Sequence, residues 1–290
     1  MRQRRIDLNG QGFHLYEWGQ PGQPVILCLH GFPEYGGAWA DLAAHLPGYH
    51  LIAPDQRGFG QSWAPPDVRD YATGKLVGDM VALLGTLDRP VTVLGHDWGA
   101  AVAYGLAFSR PALVERLIIM NGVHPVPFQT ALAAGGPQTA ASQYIPWLRA
   151  DGSEDVLAAG NFARLRALFA ANMDMAWLSG DTLRVYQAEW ARPGRMRGMI
   201  NWYRASPLVV PKPGEQATDL PALPHDRMRV AMPHLLIWGE EDTALLPEAT
   251  EGLEAFCADL TRITVPGADH WLHHQQPAQV AQAIRDWMGT

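Results

Sequence analysis

Residues 95–100 read Gly95-His96-Asp97-Trp98-Gly99-Ala100. A short apolar run, 91–95, leads into them, and an Ala-rich run with helical spacing, 99–109, leads out until Pro111. Strand, glycine, one prominent side chain, glycine and helix describe a sharp strand-to-helix turn that lifts its central residue clear of the sheet as a nucleophile. That position ordinarily holds Ser; here it holds Asp97. An Asp ahead of an Ala-rich helix can also be a plain helix cap, so the rest of the chain has to decide between the two.

Outward from this turn, strand and helix alternate. Residues 4–18 read as two strands joined at the turn dipeptide Asn9-Gly10. The apolar run 25–30 suits a strand buried on both faces. A helix is expected over 38–46 and a strand over 49–53, then Asp55-Gln-Arg-Gly-Phe-Gly-Gln-Ser62. Helical spacing follows over 75–87 and a strand over 116–120. This pattern predicts an α/β fold with a mostly parallel sheet and helices on both faces. From about residue 126 the pattern changes. Residues 139–205 read as helices broken at Asp151-Gly152, Ser179-Gly180 and Pro193-Gly194, and 206–224 read as a Pro-rich connection. The first pattern then resumes: strand 234–238, helix 247–258, strand 262–265, helix 277–288. The expected organisation is a helical insert, 126–215, interrupting one α/β domain made of 1–125 and 216–290.

Asp at the turn changes the chemistry. Ser needs a base to become nucleophilic, whereas an ordinary carboxylate is ionised at neutral pH. A carboxylate attacking an ester carbonyl would give an anhydride, higher in energy than the substrate. Attacking a saturated carbon that bears a leaving group, it gives a stable alkyl ester. Asp97 therefore points away from ester cleavage and toward alkyl transfer. That ester must then be hydrolysed by an activated water. Ile263-Thr-Val-Pro-Gly-Ala-Asp-His270-Trp puts His270 on a loop after a late strand, a suitable place for a general base. Leu236-Ile-Trp-Gly-Glu-Glu-Asp242 ends the preceding strand. Asp242 is the favoured partner of His270, with Glu240 and Glu241 as competitors. His30-Gly-Phe-Pro-Glu34 follows a buried strand, and a loop there can present the backbone N–H of Phe32 toward Asp97. With the N–H of Trp98 it would make two oxyanion donors.

Composition sets the limits. The chain has 290 residues, a net charge of −7 and a hydrophobic fraction of 48%, so it can bury a large core and has no basic excess for nucleic acid. Its two cysteines, Cys28 in an apolar run and Cys257 in an expected helix, form no metal or disulfide pattern. His270, His273 and His274 do not have a recognised zinc spacing, so no metal is expected, and His273 and His274 are expected at the pocket rim or surface. No apolar stretch follows the basic N-terminus and no run is long enough to span a bilayer, which predicts a cytoplasmic enzyme without a membrane segment. Eleven Trp and eight Tyr are a stock from which an apolar pocket can be walled, Trp39, Trp147, Trp177 and Phe128 being candidates.

Taken together, these motifs resemble the epoxide hydrolases of the α/β-hydrolase fold. The resemblance spans nearly the full chain in motif order: the segments at 30–34, 55–62 and 95–100, then Asp242 and His270. It implies an eight-stranded, mostly parallel sheet flanked by helices. The insert would be a cap, and two cap tyrosines would face the nucleophile. Ile200-Asn-Trp-Tyr203-Arg resembles the segment bearing the second, so that role passes to Tyr203. Ser142-Gln-Tyr144-Ile-Pro-Trp resembles the region of the first, shifted in register by about one residue; Tyr144 takes the role, with Tyr186 as the alternative. A phenol suits the task, because it can hydrogen-bond an opening epoxide oxygen and deliver a proton as charge develops. Trp98 and Phe32 would also border the substrate, a small apolar epoxide, with no cofactor, in a monomer or homodimer. Haloalkane dehalogenases, which the chain also resembles, share Trp after the nucleophile but often have Asn where Phe32 stands, and fluoroacetate dehalogenases typically have Arg in place of Trp98. Both differences favour epoxides over carbon–halogen bonds. A hydrolase-like protein that binds ligand without turnover is the alternative from another class.

Overall fold

The computed structural model describes residues 1–289. Eight strands form one sheet: β1 (Arg2–Leu8), β2 (Gln11–Trp18), β3 (Val25–Leu29), β4 (His50–Pro54), β5 (Val91–His96), β6 (Val114–Met120), β7 (His234–Gly239) and β8 (Leu260–Val265). Their order across the sheet is β1-β2-β4-β3-β5-β6-β7-β8. β1 and β2 pair antiparallel, as do β2 and β4, and every other pairing is parallel. The β1–β2 turn falls on Asn9 and Gly10, both at positive φ, where Asn and Gly carry the least strain.

The central strands are apolar on both faces, because helices cover both. Leu27 and Leu29 of β3, Val93 of β5, Leu117 and Ile119 of β6 and Leu236 of β7 enter one core cluster. Their neighbours Ile26, Cys28, Leu94, Ile118, Met120, Leu235 and Ile237 enter the other. This two-residue alternation is the pleat itself. On the first face lie α2 (Thr73–Leu84) and α3 (Trp98–Ser109). On the second lie α1 (Ala40–Ala44), α10 (Leu272–Gln275) and α11 (Pro277–Met288).

Between β6 and β7 the described chain contains no strand. It runs through α4 (Pro125–Ala133), α5 (Pro137–Ala141), α6 (Tyr144–Arg149), α7 (Ser153–Ala170), α8 (Gly180–Trp190) and α9 (Arg195–Ala205). The breaks expected at 152, 179 and 194 are the N-caps of α7, α8 and α9, with Gly152 and Gly194 left-handed. Residues 206–224 carry no helix or strand. One expectation fails: 247–258 is not a helix but two 3-10 turns, Pro247–Thr250 and Leu253–Phe256. Glu251 is extended and Gly252 has φ 76°, and that pair cannot continue a helix. Cys257 therefore lies beyond a turn, where residue 230 bridges to it.

The strand order reverses beside β3: the chain leaves β3 to one side for β4 and returns to the other for β5. Loops leaving the carboxyl ends of adjacent parallel strands diverge at such a point and open a crevice. The loop after β3 carries Phe32, and the turn after β5 carries Asp97.

α3 must pack tightly to start in this crevice. A Cβ on Gly99 would stand 1.9 Å from the Leu29 carbonyl oxygen, whereas one on Gly78, inside α2, would meet nothing within 4 Å. Gly99→Ala is expected to cost roughly 3 kcal/mol by overpacking against rigid backbone. Gly78→Ala is expected to gain about 0.5–1 kcal/mol from helix propensity. Denaturant midpoints at unchanged m-value test the pair; equal effects at the two glycines would contradict this packing.

Candidate active site

Asp97 adopts φ 50° and ψ −121° and makes no side-chain cap bond to α3. A non-glycine residue at positive φ is strained, and a simple cap does not require it. The turn fits because Gly95 and Gly99 remove side chains where its backbone folds on itself: a Cβ on Gly95 would lie 2.7 Å from the Gly99 oxygen. The carboxylate points into the crevice. Its Oδ1 accepts the Phe32 backbone N–H at 2.7 Å, and its Oδ2 lies 3.7 Å from His270 Nε2. Gly31 permits this approach, since a Cβ there would strike the Asp97 carboxylate at 2.2 Å.

His270 stands on the loop after β8. Its Nδ1–H donates to Asp242 Oδ2 at 2.8 Å, and its backbone carbonyl accepts from His96 Nε2–H at 2.8 Å. Asp242, three residues past β7, accepts the N–H groups of Ala244 and Leu245 at 2.8 and 3.0 Å. Glu240 and Glu241, the competing acids, are exposed. Asn121, just past β6 at φ 33°, donates to Asp242 Oδ2 at 2.6 Å and accepts the Gly239 N–H at 2.7 Å. Asn121 therefore braces the acid, and nothing in its local sequence marks that role.

The electrostatics follow from these contacts. Burial disfavours charge on His270, but Asp242 and then Asp97 outweigh it and raise its pKa to about 10. Burial likewise works against the Asp242 carboxylate, and His270, the backbone N–H of Leu245 and Asn121 overcome it, so its pKa lies below the ordinary value.

Tyr144, at the start of α6, and Tyr203, in α9, line the same cavity as Asp97 and Trp98. Their rings meet edge to face at 6.2 Å. Burial, then the Asp97 carboxylate, raises both phenols above their ordinary pKa. The Trp98 ring packs edge-on to Tyr203 at 5.1 Å. Arg149, the last residue of α6, donates to the Tyr203 carbonyl at 2.9 Å and to the carbonyls of Leu208 and Ser206, locking the two tyrosine-bearing helices together. Trp202 donates to the Arg57 carbonyl at 2.9 Å, which ties α9 to the loop after β4. That loop is itself fixed by Asp55, which accepts from the Gly36 and Gln61 N–H groups. The Phe32 ring packs edge-on to Tyr203 at 5.3 Å. Tyr186, the alternative tyrosine, is elsewhere: its hydroxyl donates to Glu34 at 3.1 Å.

Two expectations need correction. His273 and His274 are not at a rim or surface. Both are largely buried, and His274 Nε2 lies 2.7 Å and His273 Nε2 3.3 Å from the Glu34 carboxylate, with His96 Nδ1 also at 3.3 Å. A buried carboxylate needs donors on all sides, and the histidine run supplies them from behind the catalytic loop. Burial alone would raise the pKa of Glu34; these groups reverse that and hold it well below the ordinary value. Glu34, His96 and His273 are also close enough to share a metal ion, with ligand atoms within 4.8 Å of one another, and Glu34 Oε2, His96 Nδ1 and His273 Nδ1 are buried without a hydrogen-bond partner. Among the aromatic candidates only Phe128 lines the cavity. Trp39 is core, Trp177 stacks on His274 at 3.8 Å, and Trp147 lies under Arg164.

Comparison with known proteins agrees with this geometry. Residues 26–283 match the alpha/beta hydrolase family. The chain is 32% identical to the AB hydrolase superfamily protein YfhM of Bacillus subtilis, over 98% of this chain and 96% of that protein. It is 30% identical to epoxide hydrolase A of Mycobacterium tuberculosis, over 99% and 97%. Among solved structures, an epoxide hydrolase from hot-environment metagenomes superposes with a TM-score of 0.90 at 34% identity, covering 99% of this chain and 98% of that one. Among the described residues, no helix is long and apolar enough to cross a membrane.

The His270 shift carries a sign. Its folded pKa is raised, so its ion pairs stabilise the fold fully below the ordinary 6.5 and the benefit is lost as pH rises through about 10. Asp242→Asn is expected to lower the His270 pKa, seen by NMR titration of the imidazole, and to flatten the fall in denaturation midpoint across that window. An unchanged His270 titration would show that Asp242 does not set it.

Proposed function

The chain belongs to the alpha/beta hydrolase family, and from that premise we propose that it hydrolyses epoxides to vicinal diols through a covalent alkyl ester on Asp97. One observation carries this reading: a carboxylate at the nucleophile position shares its cavity with the buried Tyr203 and the half-buried Tyr144, while a His–Asp pair waits behind it.

Asp97 Oδ2 attacks an epoxide carbon, and the carbon–oxygen bond of the ring breaks. Tyr203 and Tyr144 hydrogen-bond the leaving oxygen, and one of them passes it a proton, later recovered from solvent. Oδ1 stays on the Phe32 N–H and becomes the ester carbonyl. Ester formation removes the charge of Asp97, one of the two carboxylates that hold the His270 proton. The imidazolium then releases its proton more readily and becomes the base the second step needs. Neutral His270, oriented by Asp242, takes a proton from water, whose oxygen adds to the Asp97 carbonyl carbon. The N–H groups of Phe32 and Trp98 stabilise the oxyanion, and its collapse expels the diol. These steps call for no metal or cofactor. We assign residues 126–215 as the cap that shelters them, over a core of 1–125 and 216–290, and small apolar epoxides as the substrates.

Haloalkane cleavage is the second reading. A departing halide needs N–H donors rather than a proton, yet Phe32 has no side-chain donor, and two tyrosines line the cavity beside Asp97 instead. Binding without turnover fits poorly with a base placed 3.7 Å from the nucleophile.

His270→Gln is expected to allow one turnover of styrene oxide and then trap a substrate-mass adduct on Asp97, with steady-state rate down by about 10²–10⁴-fold. Asp97→Ala is expected to abolish both adduct and diol. The Tyr144→Phe, Tyr203→Phe double variant is expected to slow adduct formation by a similar factor. Wild-type turnover in His270→Gln, or halide release outpacing diol formation in the wild type, would overturn the reading.

A further inference from the structure

Behind the catalytic loop lies a group of side chains that the hydrolytic steps leave unused. Glu34 comes from the loop after β3, His96 is the last residue of β5, and His273 belongs to α10. All three side chains are fully buried, and His96 Nδ1 and His273 Nε2 each stand 3.3 Å from Glu34 Oε2.

Hydrogen bonding accounts for only part of this group. Glu34 Oε1 accepts from the Tyr186 hydroxyl at 3.1 Å, and it lies 2.7 Å from His274 Nε2 and 3.3 Å from His273 Nε2. Oε2 has no hydrogen-bond partner, and neither has His96 Nδ1. The His96 ring already gives its Nε2–H to the His270 carbonyl at 2.8 Å. A neutral imidazole with its hydrogen on Nε2 carries a lone pair on Nδ1. Here that lone pair faces a carboxylate oxygen across 3.3 Å. Two buried acceptors this close repel each other unless positive charge is shared between them.

A metal ion meets this need and matches the spacing. Zinc holds His nitrogen and carboxylate oxygen at about 2.0–2.2 Å, so neighbouring ligands of a tetrahedral site stand about 3.3–3.5 Å apart. Both edges at Oε2 have that length, and the three ligand atoms lie within 4.8 Å of one another. The outer contacts fit as well. A ligating His donates its other N–H to a carbonyl, and a ligating carboxylate is itself hydrogen-bonded. His96 does the first and Glu34 Oε1 accepts the second.

A route for a cation leads to the group. A second cavity, of about 690 Å³, is lined by His274, the residue 2.7 Å from Glu34. Among the described residues, its wall carries Asp174, Glu241 and Asp269 but no Lys or Arg, and such a lining concentrates cations. The spacing of residues 270–274 conceals the site because two of its ligands come from positions 34 and 96.

We propose that Glu34 Oε2, His96 Nδ1 and His273 Nε2 bind a divalent transition-metal ion, zinc by the chemistry of the ligand set, with water in the fourth position. The site is structural. The ion fixes the His96 tautomer that donates to the His270 carbonyl, and so steadies the loop that bears His270.

Elemental analysis of protein produced in zinc-supplemented medium and dialysed against metal-free buffer is expected to find about one zinc per chain. Chelator-stripped protein is expected to bind added zinc with a Kd on the order of 10⁻⁷ M or tighter. Co²⁺ in its place is expected to give the intense visible bands of a tetrahedral site. Zinc at about a hundredfold excess over Kd is expected to raise the thermal midpoint by at least about 5 °C. Glu34→Gln and His273→Gln are each expected to weaken binding at least about tenfold and remove the Co²⁺ bands, whereas His225→Gln, at an exposed histidine, leaves both unchanged. The Asp174→Asn, Glu241→Gln double variant is expected to slow zinc uptake about threefold or more at low ionic strength with the same Kd. Wild-type protein with neither bound zinc nor tetrahedral Co²⁺ bands overturns the site, whether or not the variants fold; the side chains then share protons alone. Full zinc affinity in His273→Gln overturns it too, since the ion then lies elsewhere. Unchanged uptake in the double variant overturns the entry route.

Discussion

Asp97 occupies a backbone conformation that its residue type disfavours, and the surrounding structure is arranged to hold it there. A φ of 50° on an Asp costs on the order of 1–3 kcal/mol. It is met by β5 pairing on both edges with β3 and β6, by the Asp97 N–H donating to the Asn121 carbonyl, and by α3 packed against the Leu29 carbonyl through Gly99. Because the turn is so tight, the carboxylate cannot fold back to cap α3. It is left facing the crevice where the strand order reverses, in reach of the Phe32 N–H and His270.

The second constraint is charge in a place with little water. Asp97, Asp242 and His270 form one balanced set, and Glu34 with His96, His273 and His274 forms another directly behind it. The sets touch through the His96 Nε2–H on the His270 carbonyl. Asp242 is surrounded by donors, as burial demands, whereas only one oxygen of Glu34 is hydrogen-bonded. Altering the charge on Asp97 therefore changes the proton affinity of His270 without any motion of the loop. In the mechanism we propose, that coupling frees the imidazole to act as a base once Asp97 is esterified.

The helical insert is fixed to the core by hydrogen bonds from large side chains. Trp190 donates to the Pro33 carbonyl at 2.6 Å, Trp202 to Arg57, and Arg149 across α6 and α9. These anchors set the facing of Tyr144 and Tyr203. The space left between the insert, α2 and α3 becomes the cavity that Asp97 lines.

The sequence by itself determined the α/β alternation, the insert and the turn at Asp97, because each is written in local terms: strand and helix periodicity, glycine positions, and an acid where Ser ordinarily stands. His270 was legible for the same reason, as a histidine on a loop after a late strand. Local patterns favoured Asp242 but left Glu240 and Glu241 as competitors, because all three follow one strand and only the direction of the turn decides which faces His270. They misplaced His273 and His274 as well, since a polar run reads as surface until a buried partner, Glu34, is brought to it from 239 and 240 residues away. The helix expected over 247–258 gave way to two 3-10 turns at Gly252. The bracing role of Asn121 and the separation of Tyr186 from Asp97 were decided only by tertiary structure. Each depends on contacts between segments far apart in the chain, and no periodicity records those.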